Sequence, residues 1–244
     1  MHSAIRIGLI GDFNGRHKAH VAISKTLAAP GGAEGVWVPT DSVGKRQSLS
    51  EFDGLWCVPG MPYRSAEGAM WAIRHARMAR MPFLGTSAGF QYALIEFARN
   101  VLGLPDADHQ KTTPKTAMPL ISPLGCALAG VNARVRFTHG SHLSKAYGKP
   151  ESVEEYHCSF GLNGRYRRLL EGHGLFVTAI DDQHEIRAVE RDGHPFFVAT
   201  LFQPELHPGA PLVQALVAEC ERRRRGAAKT ASPIAATHAA STRP

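Results

Sequence analysis

The stretch MPFLGTSAGFQYALIEFARN, residues 81–100, decides the fold. An apolar run ends at Leu84, five small residues follow from Gly85 to Gly89, and a helical pattern then begins. This G-x-S-x-G arrangement between a strand and a helix is typical of a nucleophile elbow, which lifts its central residue out of the fold. We therefore expect Ser87 at the start of a helix, with the Ala88 amide as an oxyanion donor.

The first hundred residues alternate between strand and helix patterns. Strands are predicted at 4–13, 34–40, 52–60 and 82–86, and helices at 17–29, 65–81 and 89–103. Such alternation predicts an α/β fold with a mostly parallel central sheet and helices on both faces. The elbow then lies at the carboxyl end of a strand, where open α/β sheets place their sites.

The pattern loosens after residue 104. Residues 105–125 read as a loop, and the later predicted elements are strands at 133–137, 175–180, 185–190 and 195–202, a short helix within 161–174 and a final helix at 211–223. No repeat or linker interrupts them, so one domain is predicted over residues 1–223. Residues 224–244 are predicted to be a disordered, basic and alanine-rich tail.

The formal net charge of +7 belongs mostly to the end of the chain. Residues 222–244 hold five arginines, one lysine and no acid, which leaves about +1 for the rest. The RRRR run reads as a solvated helix end, so no nucleic-acid partner is expected. No apolar run could span a membrane, no signal peptide is indicated, and the four cysteines show no CxxC spacing. Free thiols and a cytoplasmic location are therefore expected.

Three segments carry a resemblance to a known family: PFLGTSAGFQYALIEFARNVLGL (82–104), GLWCVPG (54–60) and HPFFVATLFQPELHP (194–208). They resemble the glutaminase domain of CTP synthase, a class I glutamine amidotransferase. The resemblance runs from about residue 5 to 223 and implies that family's flavodoxin-like α/β fold. It also implies a cysteine–histidine–glutamate triad, and neither a metal nor a cofactor is expected.

The sequence departs from this family at the residues that carry out the family's reaction. Ser87 stands where the family has cysteine, and Gln203 stands where it has histidine, so only Glu205 of the triad remains. Glutamine has no basic nitrogen, and an isolated serine is a poor nucleophile without a base. Gln203 and Glu205 are expected to form a hydrogen-bonded pair that shapes the pocket.

The oxyanion loop and the substrate segment differ as well. In the loop Gly60 remains an expected oxyanion donor, whereas Met61 narrows the pocket and Pro62 removes an amide. The segment EEYHCSFGLN, residues 154–163, aligns with the stretch whose arginine holds the glutamine carboxylate in the family, and it has no arginine. Its Glu154 and Glu155 are expected to repel that carboxylate. This segment is closer to the stand-alone relatives described as CTP synthase C-terminal-region-related proteins.

A working Ser87 would need a base from elsewhere. The candidates are His157, Glu205, His139 and His142, of which the last two read as loop histidines. By resemblance, His157 and Cys158 lie in the segment that faces the site. Cys158 is either a thiol that faces the elbow or a small buried hydrophobe.

Three functions stay open on the sequence. The first is an enzyme that acts through Ser87 on a small acyl or amide substrate other than glutamine. The second is a non-catalytic pseudo-amidotransferase that binds a small molecule or regulates a partner. The third is a true hydrolase whose triad would be Ser87, Asp181 or Asp182, and His194 or His207. A homodimer is an expected assembly for a domain of this class.

Overall fold

The computed structural model describes residues 4–44 and 48–231 of the 244-residue chain. In this part of the chain the strands are β1 (Arg6–Ile10), β2 (Glu34–Val38), β3 (Gly54–Cys57), β4 (Phe83–Thr86), β5 (Ala107–His109), β6 (Met118–Phe137), β7 (Glu151–Leu162), β8 (Leu175–Ile180), β9 (Ile186–Arg191) and β10 (Phe197–Thr200). The helices are α1 (Lys18–Leu27), α2 (Ala66–Met78), α3 (Ala88–Asn100), α4 (His142–Tyr147), α5 (Arg167–Glu171) and α6 (Pro211–Ala231).

These strands form one sheet in the order β2-β1-β3-β4-β10-β9-β8-β6-β5, and β7 pairs with β6 outside this path. The pairs from β2 to β10 are all parallel, which confirms the predicted parallel sheet at its centre. From β10 onward the pairs β10–β9, β9–β8, β8–β6 and β6–β7 are antiparallel. The sheet is therefore mixed, and its parallel half carries the elbow.

Helices cover both faces of the sheet, as β3 shows. A side chain at Gly54 would meet Cys220 of α6, so that face of the strand lies under the final helix. Successive residues of a strand point to opposite faces, and Cys57, on the other face, lies against Gly89 of α3. The apolar core fills both layers and includes Trp56, which is fully buried.

The loop predicted over residues 105–125 is wrong. β5 and the first part of β6 lie there, and the long β6–β7 hairpin follows. Proline cannot donate to a ladder, but Pro123 lies at a register shift, where that donor is not needed. The sequence reading also missed α4 and β7 as elements of their own.

The final helix continues past its predicted end at residue 223 and reaches Ala231. Its arginines form ion pairs: Arg222 with Glu219, Arg225 with Glu221, and Arg224 with Asp53 of the domain body. The first eight residues of the predicted disordered tail are thus helical, and the remaining 232–244 lie outside the described residues. None of the described helices is long and apolar enough to cross a membrane.

The close approach of α3 to β3 yields a stability prediction. A Cβ atom at Gly89 would lie 2.1 Å from the Cys57 carbonyl oxygen, whereas one at Gly125 would meet nothing within 4 Å. We expect Gly89→Ala to lower the free energy of unfolding by about 3 kcal/mol, because backbone must move to admit the methyl group. Gly125→Ala should change it by less than about 0.5 kcal/mol. Denaturant titration of both variants checks this, and equal stabilities would contradict the packing described.

Candidate functional site

The elbow lies where β4 ends and α3 begins. Ser87, between them, has φ 54° and ψ −104°, a conformation that is strained for any residue with a side chain. Two backbone bonds hold it: the Ser87 N–H donates to the Thr200 carbonyl at 2.8 Å, and the Gln91 N–H donates to the Ser87 carbonyl at 3.2 Å. The Trp56 indole N–H fixes the preceding Thr86 hydroxyl at 3.0 Å. The sequence prediction of a strand–turn–helix at this point is confirmed.

A cavity of about 210 Å³ lies over Ser87. Six of the residues singled out from the sequence line it, namely Gly60, Met61, Ser87, His157, Cys158 and Gln203. Three further candidates do not line it: Ala88 and Glu205 are buried, and Glu155 lies beside His157 on the outer face of β7. The pocket is open to solvent and suits a small molecule.

Cys158 faces the elbow. Its Sγ lies 3.1 Å from Ser87 Oγ and donates to the Leu201 carbonyl at 3.5 Å, so the Ser87 hydroxyl is the donor in the shorter contact. Of the two interpretations left open by the sequence, the thiol facing the elbow is the one observed, although the side chain is also buried. Burial raises the pKa of the Cys158 thiol, and the bond from Ser87 acts in the opposite direction.

No base accompanies Ser87. Among the described residues, Cys158 is the hydrogen-bond partner of its hydroxyl, and no imidazole or carboxylate is. His157 reaches the pocket, but its Nε2 is bound to Glu155 Oε1 at 2.7 Å. The hydroxyl therefore lacks the group that would take its proton.

The expected repulsion by Glu154 and Glu155 is not what the structure shows. Glu155 accepts two hydrogen bonds from the Lys18 ammonium, at 2.6 and 2.9 Å, and this pairing lowers the pKa of its carboxyl. Glu154 lies on the other face of β7, is 1% exposed, and burial raises its pKa. One charge is paired and the other is buried away from the pocket, so neither acts as a free anion there.

The expected hydrogen bond between Gln203 and Glu205 is absent. The Gln203 Oε1 and both Glu205 carboxyl oxygens are buried without a hydrogen bond of standard geometry. Burial raises the pKa of Glu205 to about 8, with a further contribution from the charge of Glu154. The Glu205 carboxyl is thus mostly protonated near pH 7.

His20, which the sequence analysis did not single out, fixes the oxyanion loop. Its Nδ1 accepts the Asn14 N–H at 3.0 Å, so the proton is on Nε2, which donates to the Pro59 carbonyl at 2.6 Å. Burial lowers the pKa of His20 and keeps it neutral. Because the peptide bond is planar and trans, the Gly60 N–H points away from His20. That amide remains available as a donor.

A second group missed from the sequence lies at the other wall of the pocket. The Lys111 N–H donates to His109 Nδ1 at 3.0 Å, His109 Nε2 donates to Gln91 Oε1 at 3.2 Å, and Gln91 Nε2 donates to the Phe160 carbonyl at 2.8 Å. Burial lowers the pKa of His109 to about 4, so the imidazole in this series of hydrogen bonds is neutral. Gln91 could have been found, because it lies one helical turn after Ser87. His109 and Lys111 were hidden in the segment taken as a loop.

The hydrolase triad considered from the sequence does not assemble. Asp181 is bound to the Arg187 guanidinium at 2.6 Å, and His194 contacts the Ala76 carbonyl at 3.2 Å. The pocket over Ser87 is lined by none of these candidates, namely Asp181, His194, Asp182, His207, His139 and His142. Within residues 4–44 and 48–231, no group of three or more His, Cys, Asp or Glu side chains could hold a metal ion.

Residues 22–216 match the model of the family described as "Glutamine amidotransferase class-I". The chain belongs to this family. CTP synthase of Rhodococcus jostii RHA1 is 35% identical over 227 residues, which cover 83% of this chain and 38% of that protein. CTP synthase of Methanopyrus kandleri is 33% identical over 229 residues, which cover 85% and 43%. The chain spans about two fifths of the length of these curated relatives.

Solved structures show the same fold. The structure titled "Trypanosoma brucei CTPS - glutaminase domain with bound acivicin" matches with a TM-score of 0.80 at 22% identity, over 89% of this chain and 94% of that one. A glutamine amidotransferase from Methylobacillus flagellatus matches with a TM-score of 0.58 at 11% identity, over 90% and 94%. The class I amidotransferase fold and the CTP synthase-like character expected from the sequence are confirmed.

The buried Glu205 gives a pH prediction. Its folded-state pKa of about 8 lies above the ordinary value of 4.5, so the native chain binds a proton that the unfolded chain releases. Between pH 5 and 8 this group's contribution to stability therefore falls as pH rises. Relative to Glu205→Gln, the wild type should lose roughly 3 kcal/mol of unfolding free energy over this range. Urea titrations at several pH values measure this, with exposed Glu185→Gln as the control, and a pH-independent difference would contradict the assignment.

Proposed function

We propose that the chain is a CTP synthase-like amidotransferase domain that does not perform the family's glutamine hydrolysis. Instead, its pocket binds a small acyl or amide compound whose carbonyl group lies over Ser87. The observation that carries the proposal is the elbow without a base: Ser87 lines the pocket and its hydroxyl contacts the Cys158 thiol, while the neutral Gln203 lines the same cavity.

The polar groups around Ser87 fit an amide. The Gly60 and Ala88 N–H groups have no backbone acceptor among the described residues and suit a carbonyl oxygen. Gln203 Oε1 is a buried acceptor without a donor and suits a ligand N–H. A compound with one carbonyl and one N–H group would satisfy both sides of the cavity. At about 210 Å³ the cavity favours a ligand of a few heavy atoms.

The case against glutamine hydrolysis rests on residues 87 and 203 and not on repulsion of a carboxylate. Lys111 lines the pocket and could pair with an anionic group of a ligand. Among the described residues, no imidazole or carboxylate is hydrogen-bonded to Ser87 to activate an attacking atom there, and Gln203 cannot protonate leaving ammonia. A carboxylate-bearing amide is therefore compatible with the pocket as a ligand.

Turnover through Ser87 is a second candidate, favoured by the strained backbone at φ 54°. Such strain costs about 1–3 kcal/mol and is concentrated at functional sites. A fluorophosphonate probe separates the two candidates. Binding alone predicts no adduct, whereas an adduct that maps to Ser87 and disappears in Ser87→Ala would establish a reactive serine.

The binding proposal predicts a local NMR response. Titration with acetamide or propionamide should shift the amide resonances of Gly60 and Ala88, because their N–H groups would acquire a carbonyl acceptor. Met61→Trp should abolish these shifts by filling the cavity, and His139→Ala, at an exposed site, should leave them unchanged. Shifts that survive in Met61→Trp, or that lie elsewhere on the domain, would overturn the proposal.

L-Glutamine provides the matching activity test. We expect no ammonia release above the rate of buffer alone, since no imidazole is available at position 203. Enzyme-coupled detection of ammonia measures this, with Ser87→Ala as the background control. Release that requires Ser87 would contradict the loss of glutaminase activity.

A further inference from the structure

A thiol enters the pocket from the strand opposite the elbow. β7 alternates between its two faces, so that Glu154, Tyr156 and Cys158 are buried while His157 is exposed. This alternation brings Cys158 Sγ to 3.1 Å from Ser87 Oγ. Cys57 and Cys220 are fully buried and do not line the cavity, so Cys158 is the pocket's thiol among the described cysteine side chains.

We propose that Cys158, and not Ser87, is the nucleophile of this pocket, and that it accepts an acyl group from a thioester or a similarly activated acyl compound. The inference rests on the proposed function, since it needs a pocket that admits a small acyl group. In the step, Sγ forms a bond to the acyl carbon and the bond from that carbon to the leaving thiol breaks. The proton of Cys158 ends on the leaving thiol, so the products are an acylated Cys158 and a free thiol.

Thiol chemistry explains why Cys158 reacts where Ser87 does not. A cysteine ionises near pH 8.5 and is nucleophilic without a partner base, whereas a serine hydroxyl must be activated. The Ser87 hydroxyl donates to Sγ, and the thiol proton is directed at the Leu201 carbonyl. Ser87 therefore stabilises the thiolate, and its place at the amino end of α3 adds the favourable field of the helix.

The polar groups around the Cys158 thiol suit the binding of an acyl group. The free N–H groups of Gly60 and Ala88 can receive the oxyanion that forms when Sγ attacks. Gln203, which is 2% exposed and lines the same cavity, presents Oε1 without a hydrogen-bond partner. This orphaned acceptor is independent of the thiol and indicates a polar ligand in the pocket. Ser87 acts as a positioning residue for Cys158.

The test is acylation of the full chain by S-acetyl-N-acetylcysteamine, followed by intact mass and peptide mapping. We expect one acetyl group, located on Cys158 and absent from Cys158→Ala and Cys158→Ser. Burial raises the pKa of this thiol, so the rate should increase with pH past about 8.5. Ser87→Ala removes the hydroxyl that donates to the Cys158 sulfur, so the pH profile of acylation should move to higher pH. If the thiol pKa rises by about one unit, the rate at pH 7.5 falls roughly tenfold. His139→Ala should match the wild type.

The possible results separate this inference from the proposed function. Acetyl groups on Ser87, or spread equally over the cysteines, would overturn the assignment of Cys158. So would a pH profile that Ser87→Ala leaves unchanged. Absence of acylation while acetamide still shifts the Gly60 and Ala88 resonances would overturn the nucleophile alone. Absence of both responses would overturn the proposed function as well.

Discussion

The hydrogen bond from the Ser87 N–H to the Thr200 carbonyl, at 2.8 Å, holds the site together. It joins the end of β4 to the end of β10, and these two strands carry the elbow and the Gln203–Glu205 segment. This bond also holds the backbone of Ser87, whose φ of 54° is strained. Gly89 is needed because α3 passes so close to β3 that a methyl group would overlap the Cys57 carbonyl. Strand pairing thus places position 87 beside position 203 whichever side chains stand there.

Two buried carboxyl groups, those of Glu205 and Glu154, set the electrostatics behind the elbow. Glu205 is buried without a hydrogen-bond partner, and burial raises its pKa to about 8. The buried Glu154 adds a like charge nearby, and Tyr147 has its own pKa raised by burial and by both carboxyls. Near pH 7 this region favours protonated groups, so Glu205 is mostly neutral within the core. The Ser87 hydroxyl and the Cys158 thiol face each other in the pocket.

The sequence was sufficient for the parallel half of the fold and for the elbow, because strong local signals specify both. Gly85 and Gly89 mark the turn, and alternating apolar runs mark the strands around it. It was insufficient for the β6–β7 hairpin, where Pro119 and Pro123 conceal a strand whose pairing is set by tertiary contacts. His109 and Lys111, which form one wall of the pocket, were missed because they lie in residues 105–125, which were predicted to be a loop. Ser87 and Gln203 were visible directly in the sequence, but the missing Gln203–Glu205 bond depends on side-chain directions that no pattern encodes.

The segment 154–163 shows how the period of a strand decides which charges reach a site. From the sequence alone, Glu154 and Glu155 are both expected to make the pocket negative, and nothing distinguishes Cys158 from other small residues. Read as β7, the same residues alternate: Glu154 turns into the core, and Glu155 turns outward to Lys18. Cys158 lies four residues after Glu154, so its side chain points to the same inward face of the strand, where it contacts Ser87. A shift of one residue would exchange the thiol for His157, so the register of β7 on β6 selects the chemistry opposite the elbow.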